Sequence, residues 1–280
     1  MEEFLIIENG GMRVEIVNPE NAKDKHFSTR FSHVGYITEI EVDGEEKLSR
    51  AVEEFHPFHG EGFPDEFEKP LGYNEAKTGD LFVKIGVGAE KKREEKPYTN
   101  WDMHEVAMPA ETVAKKIENG YAFIQNFAFN GYEYYYEKKI TVENGKIKIS
   151  HFLKNTGIKS IDTLWYSHAF LRYDLKAEYL TLTVPEDCEI FNGEENITSC
   201  ENGVYEIPIN EITKKGICYN WHAEKTENIQ KLEKYVAKGD YGYNELQVYM
   251  NDRIISVEPK LKIYLKRNEN KSWSTIIDFS

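Results

Sequence analysis

A recurring turn is the feature that most limits what this chain can fold into. The tripeptide Glu-Asn-Gly occurs at 118–120, 143–145 and 201–203, and Asn130-Gly131 repeats its last two residues. Asn and Gly tolerate the positive φ that two-residue hairpin turns require, so each instance predicts a reversal of the chain. Between these turns side chains alternate with period two. Residues 121–129 set Tyr121, Phe123, Gln125, Phe127 and Phe129 on one face, and 132–142 and 146–153 continue the meander. Asn9-Gly10-Gly11 between 4–7 and 12–17, and Asp43-Gly44 after 34–42, predict two more hairpins. Only 226–237, with Ile229, Leu232 and Val236, has helical spacing, and it is expected as a short amphipathic helix. The expected fold class is all-β, a large antiparallel architecture with at most one or two short helices and too many strands for a small immunoglobulin-like domain. No linker or low-complexity segment divides the 280 residues, so a single domain is expected.

The formal net charge of −14 disfavours nucleic acid and anionic membranes as partners, although a local basic pocket for a sugar phosphate stays compatible with it. No apolar run reaches bilayer length, and Met1-Glu2-Glu3-Phe4 has neither a basic nor a hydrophobic leader region. Cys188, Cys200 and Cys218 fit neither a disulfide framework nor a zinc pattern and read as reduced thiols, which implies a cytoplasmic protein.

Residues 50–80 break the regularity with Pro57, Pro64, Pro70 and several glycines. A loop of that length in a compact domain is usually functional or disordered, and its aromatic and mixed-charge content argues against disorder. It is expected to cover one mouth of the sheet structure. In 82–88, two glycines interrupt a strand pattern, which marks a bulge or a close backbone approach rather than a phosphate loop.

Ser167-His168 cannot be a dyad, because strand neighbours point to opposite faces. His56, His59, Glu61 and Glu66 match no established metal spacing and read as solvated loop residues, so no metal is expected. Two other residues are harder to place. His168 is an imidazole in an apolar aromatic run. Glu258 ends the apolar run 254–257 and precedes Pro259, which should end or bulge the strand and expose the carboxylate at a sheet rim. Each alone is more often structural. Together they would supply the imidazole and carboxylate that acid/base chemistry near neutral pH needs.

Asn155-Thr156-Gly157 followed by Leu164-Trp165-Tyr166-Ser167-His168-Ala169-Phe170 resembles the Asn-Thr-Gly, apolar strand, His-x-Phe segment of the galactose mutarotase-like (aldose 1-epimerase) superfamily. Val257-Glu258-Pro259 is similar to its late Leu-Glu-Pro, and residues 71–77 and 82–88 resemble an uncharacterised mutarotase-related branch. The resemblance implies a β-supersandwich and a cofactor-independent isomerase that interconverts the anomers of an aldose or aldose 6-phosphate. Glu258 would take the anomeric proton while His168 protonates the ring oxygen. Arg30, Glu66 and Lys84 would contact hydroxyls or a phosphate, and an ion pair between Lys84 and Glu66 is the competing expectation. His59 lies in a loose echo of the family's His-Gly-Gly run, and His104 would stand in for a second imidazole. The family's early Asn-Arg pair has no visible counterpart. The implied partner is a small-molecule carbohydrate, with no nucleic acid, no membrane and no cofactor, in a monomer or homodimer. The alternative is a non-catalytic carbohydrate-binding or regulatory protein of the same fold.

Overall fold

The computed structural model describes residues 2–22, 28–54, 56, 59–223 and 227–279. Its first strands are β1 (Phe4–Asn9), β2 (Met12–Val17), β3 (Ile37–Val42), β4 (Glu45–Glu46), β5 (Asp65–Phe67), β6 (Leu81–Lys84), β7 (Gly88–Lys91) and β8 (Glu105–Pro109). The central meander is β9 (Thr112–Ile117), β10 (Gly120–Phe129), β11 (Tyr132–Glu143), β12 (Lys146–Asn155) and β13 (Ile161–Ser167). Then follow β14 (Tyr179–Thr183), β15 (Cys188–Asn192), β16 (Ser199–Glu201), β17 (Val204–Pro208), the one-turn helix α1 (Glu211–Lys214) and β18 (Ile217–Ala223). The chain closes with β19 (Asn228–Leu232), β20 (Tyr235–Gly239), β21 (Glu245–Met250), β22 (Ile255–Leu265) and β23 (Asn270–Asp278).

The turns that the sequence marks do reverse the chain, with Asn119, Asn130, Asn144 and Asn202 all at φ of +50° to +56°. These hairpins build a ten-stranded sheet in the order β16-β17-β14-β19-β20-β23-β12-β11-β10-β9, which faces a six-stranded sheet in the order β15-β18-β21-β22-β13-β5. A four-stranded sheet (β1–β4) and a three-stranded one (β6–β8) flank them. The two large sheets meet through aromatic rings. Trp165 of β13 lies 5.1 Å from Trp273 of β23, Tyr205 of β17 lies 5.3 Å from Trp221 of β18, and Phe67 of β5 lies 5.2 Å from Tyr136 of β11. This is an all-β sandwich with almost no helix, as expected.

Three expectations are corrected. Residues 228–239 form the hairpin β19–β20 instead of a helix, while Thr226 lies outside the described residues. Ile229, Leu232 and Val236 satisfy helical spacing. Yet the ten-stranded sheet needs ladder partners between β14 and β23, and that pairing outweighs a weak local preference. The strand anticipated from Val34 starts at Ile37, because Gly35 takes φ +60°. The segment 50–80 is not a free loop: Phe63 bridges to Ile37, Glu61 to Arg50, and Asp65–Phe67 form the edge strand β5 against β13.

β5 is short, and buried charges tie down both its faces. Towards the core, Asp65 Oδ2 lies 2.7 Å from Lys138 Nζ of β11, both side chains fully buried, and Ser167 Oγ donates to Asp65 Oδ1 at 2.8 Å. Such a pair adds little net stability, but removing one partner strands the other charge. Lys138→Met should therefore lower the unfolding free energy in urea by about 3–5 kcal/mol. A Lys138→Met/Asp65→Asn double variant, which leaves no unpaired charge, should recover most of that loss.

Candidate active site

The six-stranded sheet alternates cleanly. In β22 the odd positions Val257, Leu261, Ile263 and Leu265 fill the core, while Ser256, Glu258 and Lys260 share the opposite face. Register extends that polar face outward: Gln247 pairs with Glu258, Asn220 with Gln247, and Cys218 with Tyr249. Cys218 is exposed and the other three are half-buried, so this side of Glu258 forms an open polar shelf.

The ladder between β13 and β22 is interrupted at the key point. Trp165 pairs with Leu261, and six residues on Leu171 bridges to Ile255 with bonds of 3.0 Å in both directions. Both pairings keep the same offset, which sets His168 opposite Glu258 and Ser167 opposite Pro259. Since Ile255 bonds towards the β13 side, Pro259 faces that side too and has no N–H to give. On the opposite edge the alternate donors continue the β5 register, His168 N donating to Pro64 O at 2.8 Å and Phe170 N to Gly62 O at 2.9 Å. Proline thus opens the ladder without ending the strand. The expectation of a rim-exposed Glu258 is corrected: it is mid-strand and fully buried.

Across the gap His168 Nε2 stands 3.3 Å from Glu258 Oε1. The imidazole stacks on Phe170 with ring centroids 4.2 Å apart and meets the edge of Phe31 at 5.6 Å. Among the described residues His168 Nδ1 has no hydrogen-bond partner, and the Glu258 carboxylate has His168 Nε2 and the Ser256 hydroxyl beside it. Burial pushes the Glu258 carboxyl up to about 7, against the pull of Ser256, Arg30 and Lys260. Burial, then the nearby charge of Arg30, hold the His168 imidazole well below its usual value.

Next to this pair, β5 carries Glu66 directly opposite Tyr166. Tyr166 Oη donates to Glu66 Oε2 at 2.6 Å, Arg30 Nε donates to the same oxygen at 2.8 Å, and Lys84 Nζ donates to Oε1 at 3.3 Å. Burial opposes an ionised Glu66, but Arg30 and Lys84 outweigh it and hold its carboxyl below the usual range. Lys84 stays charged despite complete burial because Tyr98 Oη at 2.8 Å and Glu66 accept its protons. The small sheet that delivers Lys84 turns at Gly86, where φ is +86° and a Cβ would lie 2.2 Å from Ser32 Oγ. This is the close backbone approach that the glycine spacing pointed to.

The seven residues singled out from sequence therefore separate. His168 and Glu258 form one pair, and Arg30, Glu66 and Lys84 form an adjoining cluster linked to it through Arg30's field. His59 sits at the margin beside His56, rings 5.2 Å apart, its pKa lowered by burial and by the charges of His56 and Arg30. His104 is a layer behind, stacked on Tyr98 at 5.9 Å with Nδ1 3.3 Å from Lys91 O. Tyr166 and Lys260 were not singled out. Lys260 meets Glu68 at 3.1 Å and Glu245 at 3.5 Å beside the Tyr166 ring. The signal was available, since Tyr166 is two residues before His168 and Lys260 two after Glu258, on the same face. Tyr98, from an irregular loop, had no such signal. One cleft of about 430 Å³ lies elsewhere, lined by Leu171, Tyr173, Leu180, Tyr235 and Phe279. It holds no comparable acid/base pair.

Solved structures share this arrangement of sheets. A galactose mutarotase-like protein from Lactobacillus casei superposes with a TM-score of 0.62 at 14% identity, covering 98% of this chain and 99% of its own. The chain has the galactose mutarotase-like fold. A second galactose mutarotase-like protein, from Clostridium acetobutylicum, gives 0.59 at 13% identity over 99% and 95% of the two chains. The galactose 1-epimerase of Lactobacillus acidophilus gives 0.56 at 11% over 99% and 94%. No family model and no curated protein matches the sequence.

Within this mutarotase-like fold, Glu66 is the hub of the cation cluster, and stability should reveal that role. Glu66→Gln leaves two buried cations facing a neutral amide and should cost about 3–5 kcal/mol in chemical denaturation. Lys84→Met leaves the Arg30–Glu66 pair intact and should cost clearly less. Equal losses would contradict the hub.

Proposed function

We propose that the protein is a carbohydrate isomerase of the aldose 1-epimerase type, interconverting the α and β anomers of a free aldose. The observation that carries the reading is the buried His168–Glu258 pair, 3.3 Å apart, with His168 Nδ1 free of hydrogen-bond partners among the described residues. Ring opening requires one group to take the proton of the anomeric hydroxyl while another protonates the ring oxygen. The C1–O5 bond then breaks and C1=O forms. Rotation about C1–C2 and the reverse transfers close the ring as the other anomer. Glu258 takes the first proton and His168 supplies the second, so the pair, whose single proton rests on Glu258 below about pH 7, reacts through the tautomer in which that proton has crossed to His168. Restoring that proton on reclosure leaves the pair as it began.

A neutral sugar fits the electrostatics better than a phosphate ester. Among the described residues, Arg30, Lys84 and Lys260 are buried and already meet Glu66, Glu68 or Glu245. A phosphate would have to pull one of them from its carboxylate, at considerable cost. A second reading, a sugar-binding or regulatory protein without turnover, is favoured by one feature: Glu258 is fully buried, so a sugar reaches it only if the cover over the pair moves.

Exchange NMR on aldoses and their 6-phosphates tests both readings. The enzyme-dependent exchange should be fastest with unphosphorylated aldoses, and Glu258→Gln and His168→Gln should each lower kcat by roughly 10²–10⁴-fold while staying folded. Wild-type rates in both variants would overturn the assignment. The pH profile is a separate check. The groups whose charges act on Glu258 are Arg30, Lys260 and Glu66, with His168 opposite and Cys218 beside it. Because burial holds the Glu258 carboxyl up at about 7, the shared proton is present below that pH and lost above it. The kcat/KM for the free enzyme should therefore fall as pH rises through about 7. A rate that climbs through the same range would mean that the proton-free pair is the active form.

A further inference from the structure

Of the four tryptophans, Trp165, Trp221 and Trp273 are at most 1% exposed, whereas Trp101 is 59% exposed. Its position is fixed locally: Trp101 N donates to Thr99 Oγ1 at 3.3 Å, Asp102 N to Thr99 O at 3.1 Å, and Lys96 Nζ lies 2.8 Å from Asp102 Oδ1. The neighbouring His104 is anchored in the Tyr73–Phe82–Tyr98 stack. This short loop holds the indole over Arg30, with the guanidinium carbon 5.1 Å from the ring centroid. Arg30 in turn lies against Phe31 at 4.6 Å, and Phe31 meets the edge of His168.

A large exposed aromatic held over Arg30, which packs on Phe31 beside His168, can serve as a platform. Pyranose rings offer an apolar face of C–H groups, and an indole is the best-sized side chain to receive it. We propose that Trp101 is the residue on which the sugar ring stacks, setting specificity for aldoses whose C–H groups gather on one face. The proposal rests on the acid/base reading of His168 and Glu258 for where the ring must lie, but it concerns binding rather than chemistry.

Tryptophan emission separates the two. Titrating D-galactose and D-glucose into the protein should give a saturable change in emission. That change should be kept in Glu258→Gln and lost in Trp101→Phe, whose remaining indoles are all buried. In exchange kinetics Trp101→Ala should raise KM roughly tenfold and leave kcat within about twofold. An emission change that survives in Trp101→Phe, a panel of sugars that produces none, or an unchanged KM in Trp101→Ala would overturn the proposal. An emission change lost in Trp101→Phe, without accelerated exchange in any variant, would support Trp101 while overturning the epimerase reading.

Discussion

One missing hydrogen-bond donor organises the centre of this molecule. Every buried backbone group needs a partner, and in an antiparallel pair two strands normally supply each other's. Pro259 cannot donate towards β13, so the ladder that holds at Trp165–Leu261 and again at Leu171–Ile255 is open between those points. Register keeps His168 and Glu258 opposite each other, with Nε2 and Oε1 3.3 Å apart. On its other edge the backbone at 168–170 bonds to Gly62 and Pro64, and the same register sets Glu66 of β5 opposite Tyr166.

Two buried charge systems hold β5 in that position, one on each face. Asp65 meets Lys138 across the core, and Glu66 gathers Arg30, Lys84 and Tyr166 on the outer side. Ion pairs of this kind add little net stability, so their value lies in geometry: each charge has one low-energy place to be. The outer cluster also has an electrical effect, since it joins two cations to one carboxylate. Arg30's field then opposes burial at Glu258 and adds to it at His168. A carboxyl near 7 beside a neutral imidazole is the result, so the pair's single proton rests on Glu258 and crosses to His168 before His168 acts as the acid.

Much of this could be read from the chain before any coordinates. The Asn-Gly turns and period-two faces gave the meander, because a positive φ and an alternating pattern are local properties. His168 and Glu258 stood out because an ionisable group in an apolar run is a local anomaly. What needed three dimensions was pairing at distance. The ion pair between Lys84 and Glu66 was expected, because an apolar setting makes an unpaired lysine costly, but nothing near Glu66 says that Arg30 joins it, and nothing near Asp65 points to Lys138. The misreadings have the same origin. Pro259 looked like a strand end because its partner strand could not be seen. Residues 228–239 looked helical because the ladder that claims them comes from β14 and β23.

The central claim is that His168 and Glu258 address one sugar ring. A crystal structure of the Glu258→Gln variant soaked with D-galactose would test it most directly. The expected result is a pyranose whose anomeric oxygen lies within about 2.6–3.2 Å of the side chain at position 258 and whose ring oxygen lies at a similar distance from His168 Nε2. A sugar seated instead in the cleft beside Leu171, Tyr173 and Phe279, with the pair still covered, would contradict the account.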